Sequence, residues 1–128
     1  MVLFVDINDT CRAAAAALYY QAAKGVPASH AGMFAEEGIC PGKLAGEAAH
    51  EQGIDLGDVT SVGLCEELLR RADCVCAVTA SIAARLAEDY PAYAHKIRSI
   101  EIPDPFGLGK QAYLDCFARI CEQVEGLE

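Results

Sequence analysis

A chain of 128 residues with a formal charge of −9 and no basic run is a poor partner for nucleic acid or for an anionic membrane. Its 53% hydrophobic and 23% charged residues have the balance of one folded domain over residues 1–128, not of a disordered segment. The first apolar run, Val2 to Val5, is too short for a signal peptide or a membrane span, which predicts a cytoplasmic protein.

Val2–Val5 reads as the first strand, and a polar loop from Asp6 to Arg12 follows it. Ala13–Lys24 consists of strong helix formers and stops at Gly25, with Pro27 beyond. Ser29–Gly32 reads as a short second strand, and Lys43–Gln52 as a helix that begins after the turn "CPG" and closes at Gly53. Leu64–Arg71 gives another helix, and the continuous apolar run Cys74–Val78 a strand buried on both faces. A helix starts at about Ala80, with Ile82 and Leu86 four apart and Pro91 near its end. Lys96–Ile102 supplies a fourth strand. The last helix, about Leu108 to Val124, places Tyr113, Phe117, Ile120 and Val124 on one face.

Strands alternating with helices predict an α/β three-layer sandwich, with a four-stranded parallel sheet covered on both faces and joined by right-handed crossovers. In such folds ligands bind at the carboxyl ends of strands, near a topological switch point. The loop after strand one is therefore the first place to look for a site. Seven cysteines (11, 40, 65, 74, 76, 116 and 121) form no Cys-x2-Cys pair, and their number is odd. They are expected to be reduced and mostly buried. His30, His50 and His95 are scattered without ligand spacing, so neither a metal nor a cofactor is predicted.

A strand running into a tight loop at a helix N-terminus is where proteins hold phosphate, yet this loop carries two carboxylates, Asp6 and Asp9. A second feature lies in "IPDPFG", residues 102–107, where Pro105 favours an extended Asp104 and helps fix its carboxylate. With "VLFV", "TCR", Ala31-Gly32, "GIDL" at 53–56, "EELLRRADCVCAVT" and Tyr113, these stretches resemble the low-molecular-weight protein tyrosine phosphatase family over nearly the whole chain. That family also includes thioredoxin-linked arsenate reductases. Its signature is a Cys-x5-Arg loop, commonly V-C-x-G-N-x-C-R-S-P, and an Asp-Pro followed by an aromatic before the last helix. Cys65 and Arg71 also satisfy Cys-x5-Arg, but within a helical stretch, and that match is chance.

The resemblance implies the family's fold and its chemistry: a loop cysteine thiolate attacks phosphorus, backbone N–H groups and the arginine hold the oxygens, and the aspartate protonates the leaving group. Position by position, Arg12 would be the clamp, Asp104 the general acid and Phe106 a pocket wall. Ile7, Asn8, Asp9, Thr10, Cys11 and Ala13 would form the phosphate loop. The nucleophile position is Asp6; the cysteine is gone. Asn8 and Asp9 replace the loop glycine and asparagine, and Ala13-Ala14 replaces Ser-Pro, so the loop has diverged at several positions together.

Asn and Asp tolerate left-handed backbone better than most residues, so Asn8 and Asp9 are expected to keep the loop's shape. Cys11 is expected to pack behind the loop. Asp6 is expected to lie in the amide nest and pair with Arg12, with Asp9 adding repulsion against an incoming phosphate. The reading that follows is a phosphatase-like protein, inactive or strongly impaired, whose pocket binds a phosphorylated or anionic small ligand or a protein partner. The alternative keeps an enzyme: Asp6 attacks phosphorus, with Mg²⁺ held by Asp6, Asp9 and Asp104. "VLFVDINDT" does resemble the hhhh-D-x-D-x-[TV] motif of the haloacid dehalogenase superfamily, with Asn8 at the second aspartate. The lysine and paired acidic motifs of that superfamily are missing. Arsenate reduction ranks last, because a relay through Cys65, Cys74 and Cys76 would have no thiol at position 6 to start it.

Overall fold

The computed structural model describes residues 1–127. Four strands, β1 (Val2–Asp6), β2 (Ala28–Gly32), β3 (Cys74–Ala77) and β4 (Ile97–Ser99), pair in the order β2-β1-β3-β4, every pair parallel. Five α-helices accompany them: α1 (Arg12–Lys24), α2 (Lys43–Glu51), α3 (Glu66–Arg71), α4 (Ala80–Asp89) and α5 (Lys110–Glu125). A 3-10 helix over Pro91–Lys96 leads into β4. This is the expected parallel α/β sandwich.

Why the layers form follows from the side chains. All five β1 residues are buried, as a central strand covered on both faces requires. Ala13–Ala17 are buried too, and the small side chains let α1 lie close on β1 and β2 while α5 packs along it. Phe117, Ile120 and Val124 are the buried stripe of α5, joined by Cys116. Tyr113, expected on that stripe, is half-buried and stacks at a tilt on Phe117. Ile82 and Leu86 bury the inner face of α4 against β3 and β4. Thr79 caps α4 by accepting the Ile82 N–H at 3.2 Å.

Boundaries moved by two residues or more at three elements, each for a local reason. The fourth strand is shorter than Lys96–Ile102 because Lys96 still belongs to the 3-10 helix. Past Ser99 the chain keeps the direction of the sheet without a regular ladder, and Ile100 and Ile102 donate to the Ala77 and Val78 carbonyls. The last helix starts at Lys110, not Leu108, because Gly107 and Gly109 both have positive φ and Leu108 is exposed in the turn between them. Helix α3 starts two residues late, with extended Cys65 as its N-cap.

Crossover connections carry the chain from β1 out to β2 on one side and from β3 out to β4 on the other. The order therefore reverses between β1 and β3. The loop after β1 leaves the sheet at that switch point.

Candidate active site

Asp6 closes β1, and its side chain turns back into the loop that it begins. Its Oδ1 accepts the Asp9 N–H at 2.5 Å, and its Oδ2 accepts the Ala13 N–H at 2.9 Å. The carboxylate therefore fills an amide nest between the end of β1 and the first turn of α1, with only 3% of the residue exposed. Burial pushes its pKa up to about 6; the nearby Asp9 adds to the rise, while the two N–H bonds and Arg12 oppose it.

Asp9 makes the turn possible. It has φ +52°, the one non-glycine residue with positive φ among those described, whereas Asn8 needs no such conformation. The side chain points away from the pocket. Oδ2 bonds His30 Nδ1 at 2.6 Å and accepts the Val62 N–H at 2.8 Å, while Oδ1 is buried with no hydrogen-bond partner among the described residues. Its contacts on β2 and the 61–63 segment draw the Asp9 side chain off the cavity, while its charge still reaches the nest, where it raises the Asp6 pKa.

Gly32 is what lets β2 support the loop. It pairs with Asp6 in register, and a Cβ there would meet the Asp9 nitrogen and the Ile7 carbonyl oxygen, each at 2.7 Å. Met33 and Phe34 N–H groups then hold the Asp6 and Ile7 carbonyls at 2.9 Å.

Arg12, at the start of α1, is buried, and its partners lie across the pocket. Nη1 donates to the Ile102 carbonyl at 3.0 Å, and Nη2 sits 4.0 Å from Asp104 Oδ2. The expected pairing of Asp6 with Arg12 is corrected accordingly. The carboxylate is satisfied by main-chain amides, and the guanidinium by the segment after β4. Asp104 itself is largely exposed, and its Oδ1 accepts the Phe106 N–H at 3.1 Å, a local turn that Pro105 favours.

A cavity of about 380 Å³ opens over these groups, lined by Asp6, Asn8, Thr10, Arg12, Asp104 and Phe106 among others. Ile7 and Cys11 also reach it, while Ala13 contributes its buried N–H below. Phe106 is 81% exposed and stands as the free wall. Phe34, Glu36 and Ile39 complete the rim from the loop after β2. Sequence reading missed these three and also His30. Two exposed apolar side chains beside acidic residues were the available signal for the rim. His30 gave none, since its partner is named only by the fold. Cys11 is half-buried, packed against the core at the N-cap of α1, and also faces the cavity rather than lying wholly behind the loop.

All seven cysteines are free, as expected, but they are less buried than expected. Cys76 and Cys116 are buried, Cys11, Cys74 and Cys121 half-buried, and Cys40 and Cys65 exposed. The exposed pair sits on loop and helix-cap backbone outside the core. Among the described residues no group of three or more His, Cys, Asp or Glu side chains is arranged to hold a metal ion, and no helix is long and apolar enough to cross a membrane.

The family model for the low molecular weight phosphotyrosine protein phosphatases matches residues 1–128. The chain belongs to that family. Among solved structures, the low molecular weight protein tyrosine phosphatase of T. tengcongensis is 31% identical, with a TM-score of 0.89 over 97% of this chain and 94% of that one. The YwlE arginine phosphatase of Geobacillus stearothermophilus is 27% identical, with a TM-score of 0.89 over 97% and 87% of the two chains. A YwlE cysteine-to-serine variant with a phosphorylated active-site serine is 26% identical, with a TM-score of 0.82 over 98% and 94%. A search of curated proteins returned no significant match. In this member of the family of phosphotyrosine and arginine phosphatases, the loop between β1 and α1 begins with Asp6.

Proposed function

We propose that this phosphatase-family protein has lost cysteine-based turnover, or retains very little of it, and uses its pocket to hold a ligand or a protein partner. One observation carries the reading. The Asp6 carboxylate accepts the Asp9 and Ala13 N–H groups, so an anion already sits where the family's loop would cradle a phosphoryl group. A carboxylate is also a weaker nucleophile than a thiolate, and its charge opposes a doubly charged ester. Arg12 Nη2 and Asp104 Oδ2, 4.0 Å apart at the cavity, support reading these two residues as the former clamp and acid. With Asp6, Glu36 and Asp104 around one arginine, the pocket favours a weakly charged ligand or the side chains of a protein over a phosphate dianion.

A second reading is supported by the YwlE relative whose active-site serine carries phosphate, an oxygen acceptor on this fold. Here Asp6 would take the phosphoryl group, with Mg²⁺ offsetting the negative charge. Asp9, drawn to His30, would be no ligand for that ion, which leaves Asp6 and Asp104 of the expected three. Arsenate reduction lacks its starting thiol.

The test is hydrolysis of p-nitrophenyl phosphate and of a phosphoarginine peptide, by wild type, Asp6→Asn and Asp6→Cys, each with and without Mg²⁺. The proposal expects wild type at background in every condition. Wild-type turnover that Asp6→Asn abolishes would overturn it. Asp6→Cys separates two forms of the loss: gained activity means the missing thiol is the main lesion, and continued inertness means the neighbouring changes have closed the site as well.

A further inference from the structure

Building on the reading that this pocket holds a partner in place of turning over phosphate, we propose that the partner is a protein segment that inserts an unphosphorylated lysine side chain over Asp6. Phe34, Ile39 and Phe106, which line the cavity, are three of the six large apolar side chains exposed among the described residues. Exposed apolar groups gathered at the mouth of a polar cavity mark an interaction surface, since water covers them poorly. Phe34 and Ile39 belong to the loop after β2 and Phe106 to the turn after β4, so two separate segments build this apolar rim.

Charge selects the occupant. Asp6, Glu36 and Asp104 line the cavity, and among the described residues Arg12 is its one basic lining residue. Arg12 is already engaged, with Nη1 on the Ile102 carbonyl at 3.0 Å and Nη2 4.0 Å from Asp104 Oδ2. The excess of carboxylates therefore calls for a cation from outside. Arg85, near the rim, pairs with Asp89 at 3.0 Å, and its guanidinium lies 5.7 Å from the centre of the Phe34 ring, so the aromatic rim already receives one cation. A second copy of this chain is a poor occupant, because two chains of charge −9 repel each other.

The carboxylate oxygens distinguish lysine from arginine. A guanidinium is a rigid fork that binds best to both oxygens of one carboxylate. Here Asp6 Oδ1 and Oδ2 each already accept a main-chain N–H, from Asp9 at 2.5 Å and from Ala13 at 2.9 Å. Asp104 Oδ1 accepts the Phe106 N–H at 3.1 Å, and its Oδ2 faces Arg12. Neither residue offers an open pair of oxygens, but each oxygen keeps a second lone pair. An ammonium is a compact charge with three rotatable donors, and it takes single lone pairs from separate carboxylates. Glu36, on the exposed rim, is the third carboxylate within the site. The apolar stem of the lysine then lies against Phe34, Ile39 and Phe106, and covers surface that is otherwise left to water.

The experiment titrates the isotope-labelled full chain with acetyl-Leu-Lys-Leu-amide and follows the amide resonances of Asn8, Thr10, Phe34 and Phe106. Control peptides replace the lysine by Nε-acetyl-lysine, which keeps the stem and loses the charge, by arginine, and by phosphotyrosine. The expected result is saturable shifts with the lysine peptide, and binding about tenfold weaker once the lysine is acetylated. Asp104→Asn and Glu36→Gln should each weaken binding of the lysine peptide, and Phe106→Ala, at an exposed position that leaves the fold intact, should weaken it about threefold. Equal binding of the lysine and Nε-acetyl-lysine peptides would overturn the proposal, as would tighter binding of the arginine peptide. Silence of every peptide overturns the lysine site alone and leaves the loss of turnover standing. Tighter binding of the phosphotyrosine peptide would overturn both, because the nest would then be open to phosphate.

Discussion

Asp6 is held where a carboxylate is costly to ionise and yet well hydrogen-bonded once ionised. Its pKa is raised from 3.8 to about 6, burial being the main cause. The sign follows directly: the folded state prefers the protonated form, so the contribution of Asp6 to stability is greatest below the unfolded value near 3.8 and declines as pH rises through 6. The loss across that window is about 3 kcal/mol. Asp6→Asn removes the titration. The stability of wild type relative to Asp6→Asn, measured by urea unfolding at pH 4 to pH 8, should therefore fall with rising pH, most steeply between about 4 and 6. A difference that is flat with pH would show that Asp6 does not titrate in the nest as described.

His30 is the second residue whose role is specific. Replacing it with Ala removes the Nδ1 bond from a buried aspartate that already has one unpartnered oxygen. The cost should be about 1–3 kcal/mol in urea unfolding, with His30→Gln losing less because an amide N–H can still donate. Equal losses in the two variants would mean that packing, not the bond to Asp9, is what His30 supplies.

At the scale of elements, the loop depends on how closely β2 approaches it. Gly32→Ala forces a Cβ to 2.7 Å from the Asp9 nitrogen and the Ile7 oxygen, both main chain and unable to swing aside. It should cost about 1–3 kcal/mol and displace the loop, visible as shifted Asp9 and Ala13 amide resonances. An unperturbed Gly32→Ala would mean that the two segments are less tightly packed than described.

Elements also set the limits of what the sequence disclosed. Continuous apolar runs such as Val2–Val5 and Cys74–Val78 announced central strands, because burial on both faces leaves no other composition possible. The apolar pattern extends past β4 because Ile100 and Ile102 are buried like strand residues while bonding outside a regular ladder. Loop positions Asp6 to Arg12 were legible from their order after the strand. The directions of Asp9 and Arg12 were not, since each is set by a partner distant in the chain: His30 and Val62 for one, Ile102 for the other.

Across the whole molecule, the sheet order places one loop at the reversal between β1 and β3, and the segment after β4 brings Asp104 over it. That framework is the phosphatase family's, and it survives around a loop whose nest is filled from within. The net charge of −9 adds a field that disfavours anionic ligands.

The most direct measurement is an amide NMR titration of wild type and Asp6→Ala with inorganic phosphate. A carboxylate that occupies the nest predicts that wild-type Asp9 and Ala13 amides stay unmoved at millimolar phosphate, whereas in Asp6→Ala both shift saturably as phosphate takes the vacated place. Saturable shifts of those two amides in wild type, as large as in the variant, would contradict the account.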